Sequence, residues 1–144
     1  MQFTMTIDGG LEVQKLLQQL GDQATPTMQA ALYQEGTDLL NEADLLVPRD
    51  TGTLAGSKFQ TEAVEGAMPV VTVGYGGAAA PYAVAVHENP RSGQTGGVSP
   101  SGRLYEHWAA VGEWKYLETP YKARLAGFTD RLAAFLRARL MKGG

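Results

Sequence analysis

A chain of 144 residues is long enough for one domain built on one apolar core. Its small net charge of −3 argues against a generic nucleic-acid coat, and the absence of cysteine excludes disulfides and thiolate zinc sites. Residues 1–8 lack the basic head and apolar run of a signal peptide.

Residues 2–7 alternate, with Phe3, Met5 and Ile7 on one side and Gln2, Thr4 and Thr6 on the other, as in a half-buried strand. Asp8-Gly9-Gly10 turns the chain. Leu11, Leu16, Leu17 and Leu20 then follow at helical spacing, and Gly21 is a fitting C-terminal stop. Thr25 as N-cap and Pro26 at the first helical position predict a long helix over 26–46. Its apolar face carries Met28, Leu32, Leu39, Ala43 and Leu46, edged by Leu40 and Val47, while Glu35, Asp38, Glu42 and Asp44 make the other side acidic. Gly36 weakens the middle by about 1 kcal/mol relative to alanine and suits close approach of another backbone.

A polar corner follows, Val47-Pro48-Arg49-Asp50-Thr51-Gly52-Thr53-Leu54-Ala55-Gly56-Ser57. Pro48 stops the helix, Asp50 and Thr51 bond nearby backbone, Gly52 accepts positive φ, and Leu54 returns to the core. Residues 58–64 alternate Phe59, Thr61 and Ala63 against Lys58, Gln60 and Glu62. Glu65-Gly66 turns the chain into the β-branched run 70–75, which completes a hairpin. The uncharged stretch 67–86 has the length of a membrane span, but Pro69, Pro81, Gly74, Gly76 and Gly77 break it. Tyr82, Val84 and Val86 fit a short helix or a strand, and periodicity does not decide between them.

Residues 89–103, rich in Gly, Ser and Pro, read as a flexible loop. Residues 104–114 carry Tyr105, Trp108, Val111 and Trp114 and suit a short helix or a covering arm. Thr119-Pro120 again marks a helix start, and Tyr121, Leu125, Phe128, Leu132, Phe135, Leu136 and Leu140 form one stripe to the C-terminus. Charge is unevenly placed: from Thr119 onward Lys122, Arg124, Arg131, Arg137, Arg139 and Lys142 face a single acid, Asp130. A basic face of Lys122, Arg124, Arg131, Arg137 and Arg139 suits subunit contact, an anionic surface or plain solvation.

Chemistry-bearing motifs are sparse. The loop at 74–77 lacks a Gly-Lys-Ser/Thr ending and GxGxxG spacing, so nucleotide binding is not favoured. His87-Glu88 lacks the second histidine of a zincin, and no serine sits in a nucleophile elbow. Asp50 with Glu88 forms no distinctive carboxylate pair. A metal-dependent hydrolase using His87, Glu88 and His107 is the enzymatic alternative, and a nucleic-acid binder using the last helix is another. The expectation is an α+β domain spanning 1–144, with no catalysis, cofactor or metal. A small, mainly antiparallel sheet is packed on one face by the 26–46 helix and a C-terminal helix over 120–141.

Several strings resemble the neck proteins of tailed bacteriophages. These are the small tail-completion or head–tail joining proteins, also called minor capsid or minor tail proteins, of siphophage-type virions and prophages. The pattern Val-Pro-x-Asp-Thr-Gly-x-Leu with a following serine is met by Val47, Pro48, Asp50, Thr51, Gly52, Leu54 and Ser57. A strand ending in Val73-Gly74 follows, then Pro81, Tyr82, Ala83, Val86, His87 and Glu88, and finally Lys115, Leu117 and Glu118 before the last helix. The chain departs from many members at His87-Glu88-Asn89, where they carry an acid, an aromatic and Gly-Thr, and in the longer segment 104–114.

The resemblance implies a homo-oligomeric ring, six- or twelve-fold, in the virion neck. Head-closure and portal-side proteins would lie on one side, tail-terminator and tail-tube proteins on the other, and DNA would pass through the lumen. It implies manufacture in the host cytoplasm and no membrane partner. Its candidate assembly residues are Pro48, Asp50, Thr51, Gly52, Leu54, Tyr82, His87, Glu88, Leu117 and Glu118. A tail terminator or minor capsid protein is the neighbouring alternative.

Overall fold

A computed structural model describes residues 2–5, 10–48, 52–66, 68–78, 80–89 and 112–143. In chain order these form strand β1 (Gln2–Met5), helix α1 (Leu11–Leu20), a 3-10 turn (Gly21–Gln23), helix α2 (Ala24–Asp44) and the one-turn helix α3 (Thr53–Gly56). The hairpin β2 (Phe59–Glu65) and β3 (Met68–Gly74) follows, then helices α4 (Ala83–Glu88), α5 (Glu118–Leu125) and α6 (Phe128–Gly143). The class is α+β, as the alternation patterns indicate.

The sheet is antiparallel with order β1-β3-β2. Phe3 pairs with Val73 and Met5 with Val71 on one side, and Gln60 with Val73 and Glu62 with Val71 on the other. Gly66, at φ +66, makes the hairpin turn.

Helix α2 is the centre of the molecule. It is buried at Thr27, Met28, Ala31, Leu32, Glu35, Gly36, Leu39, Leu40 and Ala43, which is more than one stripe. One side lies on β3 and β2, and the other side receives α1, α5 and α6. Gly36 makes the sheet contact. A Cβ there would stand 2.6 Å from Gln60 Nε2 and 3.0 and 3.1 Å from the Cγ1 atoms of Val73 and Val71. What approaches the glycine is therefore a set of sheet side chains rather than a second backbone. Gln60 crosses this gap to donate to the Tyr33 carbonyl at 2.7 Å and accept from the Thr37 hydroxyl at 3.1 Å.

Four expected features are corrected, and the choice left open at 83–88 is decided. The C-terminal helix is not continuous over 120–141: Ala126 is extended at ψ 128° and Gly127 takes φ +74°, giving an elbow between α5 and α6. It does not share a sheet face with the long helix either. Leu132, Ala133 and Leu136 of α6 are buried, and the helix packs on α1 and α2, so α2 separates it from the sheet. Residues 83–88 are helical, because burial of Ala83, Val86 and His87 follows i, i+3, i+4 rather than alternation. Thr25 lies inside α2 and not at its cap, since the 3-10 turn leads the chain directly into the helix and the Ala24 N–H already bonds Gly21. That helix ends at Asp44 rather than Leu46, although the Val47 N–H still bonds the Ala43 carbonyl at 2.9 Å.

Candidate functional site

The motif residues gather at two neighbouring junctions. In the first, α4 meets the turn that leads into α5. His87 is 1% exposed and sits at the end of α4. Its Nε2 accepts from the Glu118 N–H at 3.2 Å, so the ring is neutral and carries its proton on Nδ1, which donates to Glu88 Oε1 at 2.9 Å. Burial lowers the His87 pKa below its ordinary value and outweighs the opposing pull of Glu88.

Lys115 closes this junction. Its ammonium lies 2.6 Å from Glu88 Oε2 and 2.9 Å from Glu118 Oε2, and Lys122 reaches the other Glu118 oxygen at 3.2 Å. The Lys115 bonds hold the carboxyls of Glu88 and Glu118 below the usual range, and Glu88 in turn raises the Lys115 ammonium. The Lys115 backbone is left-handed at φ +57°, the one non-glycine residue so placed among the described residues. Its N–H donates to the His87 carbonyl at 2.7 Å and its carbonyl accepts from the Thr119 N–H at 2.9 Å, so two backbone hydrogen bonds hold the strained conformation. Behind it, Tyr116 is buried edge-on to both His87 and Tyr75 and donates to the Ala83 carbonyl at 3.0 Å. Burial pushes its phenol pKa well up. Leu117 is fully buried beside it, and Tyr82 packs half-buried against the core.

The second junction is the polar corner. Pro48 is buried, Gly52 takes φ +84°, and Leu54 is buried on α3. Asp50 and Thr51 lie outside the described residues. Ser57 donates to the Leu54 carbonyl at 2.6 Å and accepts from the Gly76 N–H at 3.0 Å, which ties the corner to the end of β3. The segment after residue 111 crosses here too. The Glu113 N–H donates to the Leu46 carbonyl at 2.7 Å, and a Cβ on Gly112 (φ +103°) would stand 2.6 Å from the Pro48 Cα. One short stretch, 112–118, therefore touches both the corner and α4.

The basic face is differently disposed from its expectation. Arg124 and Arg131 turn inward onto Glu35, which is 5% exposed rather than on an acidic outer side. Arg131 Nε bonds Glu35 Oε1 at 2.7 Å, Arg124 Nη2 bonds the same oxygen at 3.1 Å, and Arg124 Nη1 reaches Glu42 at 2.8 Å. Burial alone would raise the Glu35 pKa, but Arg131 and Arg124 outweigh it and hold the carboxyl below the usual range. Arg137 pairs with Glu12, Lys122 with Glu118, and Arg139 lies over the Phe135 ring at 5.9 Å.

Composition did not reveal Glu35, but spacing carries a signal. Met28, Leu32, Glu35, Leu39 and Ala43 follow steps of four, three, four and four, so Glu35 occupies a core position of the stripe. Tyr116 and Gly112 were also unassigned; the Tyr116 hydroxyl's acceptor Ala83 and the Gly112 neighbour Pro48 lie more than 30 residues away in sequence, beyond any local pattern.

Both His87 nitrogens are engaged, His107 lies outside the described residues, and among the described residues no three His, Asp or Glu side chains converge as metal ligands. An open groove lined by Gln19, Leu20, Gln23, Arg139, Leu140 and Gly143 lies where α1 and α6 end and contains none of the motif residues. Among the described residues no helix is long and apolar enough to cross a membrane. Comparison with protein-family models, curated proteins and solved structures finds no match.

Proposed function

We propose that this chain is a structural, non-catalytic virion protein of a tailed phage or prophage. It acts in tail completion or head–tail joining, as a homo-oligomeric ring around the DNA channel of the neck. The observation that carries this reading is contact between separate pieces of the motif pattern. His87-Glu88 and Lys115-x-Leu117-Glu118 meet through the His87–Glu118 and Lys115–Glu88 bonds. Strings that resemble the family one by one thus form one joined junction.

The junction supports a structural role because its groups neutralise one another: Lys115 and Lys122 balance the Glu88 and Glu118 carboxylates, and His87 is neutral. A ring would present heterologous surfaces, six- or twelve-fold, to head-closure and portal-side proteins above and to tail-terminator and tail-tube proteins below. With Arg124 and Arg131 turned inward, Lys122, Arg137, Arg139 and Lys142 are the exposed basic residues of this part that partners or DNA would meet.

The test is electron microscopy of lysates from a phage or prophage in which this gene is disrupted. DNA-filled heads beside separate finished tails are expected. Intact infectious particles overturn the neck reading, and tails of uncontrolled length indicate a tail terminator instead.

A further inference from the structure

The two helices after residue 117 are docked by different forces. Within α6, Leu132, Ala133 and Leu136 are buried. Within α5, Pro120 is the buried residue, Tyr121 is half-buried, and Leu125 is 53% exposed. What α5 offers to α2 instead is Arg124, whose guanidinium meets Glu35, Asp38 and Glu42. These three acids occur at i, i+3 and i+7, so they form one row along the helix.

Arg131 completes the arrangement from the far side of the elbow. Two of its nitrogens hold Glu35, one donates to the Ala126 carbonyl at 3.0 Å, and it also donates to the Arg124 carbonyl. The last carbonyls of α5 are therefore capped by a side chain of α6. A single carboxylate, Glu35, sits between the two arginines and spans the bend.

We propose that the α5–α6 elbow is a built-in conformational switch, latched by Glu35 between Arg124 and Arg131 and hinged at Ala126–Gly127. Closed, it ties both guanidinium groups to the acidic row of α2, with Glu35 buried and Asp38 and Glu42 still partly exposed. Open, it releases Arg124 from that row while α6 stays docked through its leucines and the start of α5 stays pinned by the His87–Glu118 bond. This device stands apart from the neck reading, because it rests on the contacts within the elbow and holds whatever the protein assembles with.

Hydrogen–deuterium exchange on the full chain tests it, comparing the natural protein with Glu35→Gln and Arg124→Met. In both variants exchange over residues 121–127 should rise by about tenfold or more, while 132–136 of α6 and 70–74 of β3 keep their protection. Unchanged exchange over 121–127 overturns the proposal. So does a rise shared equally by 121–127 and 132–136, which would make the two helices one unit. If Glu35→Gln does not fold, Arg124→Met decides by the same readout, since it leaves the Arg131–Glu35 pair in place.

Discussion

Helices α5 and α6 are neighbours in sequence and lie on the same long helix, yet they are held to it by opposite means. Helix α6 inserts Leu132 and Leu136, which are 1% and 0% exposed, between α1 and α2. Helix α5 leaves Leu125 largely in solvent and reaches α2 through the Arg124 guanidinium. The difference shows how one amphipathic pattern divides when a bend intervenes. A leucine placed before Gly127 is turned away from the core that receives the leucines after it. Apolar docking is non-directional and scales with area, whereas the ionic contact depends on a few groups in fixed geometry. The first gives a permanent seat and the second a separable one.

The largest expected effect tests the permanent seat. Leu136→Ala should cost about 2–5 kcal/mol of global stability, read from chemical denaturation, because it empties a fully buried site between helices. A loss below about 1 kcal/mol would mean that α6 is not an apolar anchor. Next in size, Glu35→Gln should cost about 2 kcal/mol. That is less than for a fully buried pair, because the Arg131 side chain is 37% exposed and solvent screens it. A loss equal to that of Leu136→Ala would erase the contrast between the two helices.

Acid sharpens the comparison without mutation. The folded Glu35 carboxyl titrates below its ordinary value of 4.5, so its contribution is complete above about that pH and is lost as pH falls through the lower folded value. Exchange over residues 121–127 should rise in that range before exchange over 132–136, which depends on groups that do not titrate. His87 gives a separate, milder window. Its folded pKa lies below 6.5, so stability declines as pH falls from about 6.5 towards the folded value, because the unfolded ring binds the proton first. His87→Gln should remove that decline from the stability–pH curve. The smallest effects belong to pairs in solvent: Lys122→Ala and Arg137→Ala should each change stability by less than about 0.5 kcal/mol in the same denaturation measurement.

Local signals determined much of the molecule. The strand propensity of residues 2–5 and of the hairpin, the turn at Gly66, the stop at Gly21 and the apolar stripe of α2 each act between residues close in the chain. Their outcome therefore follows from φ/ψ preference and side-chain period. His87, Glu88, Leu117 and Glu118 were marked together only through the family resemblance, among ten candidate assembly residues. Only the tertiary structure decided what these residues touch. Glu35 became a buried acid because Arg124 and Arg131, 89 and 96 residues away, arrive to compensate its charge. Residues 83–88 became a helix because the core accepts Ala83, Val86 and His87 on one side. The polar side of β2 faces α2 because Gly36 leaves room for Gln60 to reach the Tyr33 carbonyl. Period and propensity act over a few residues, whereas the burial of a charge or an amide depends on a partner that the chain supplies from elsewhere.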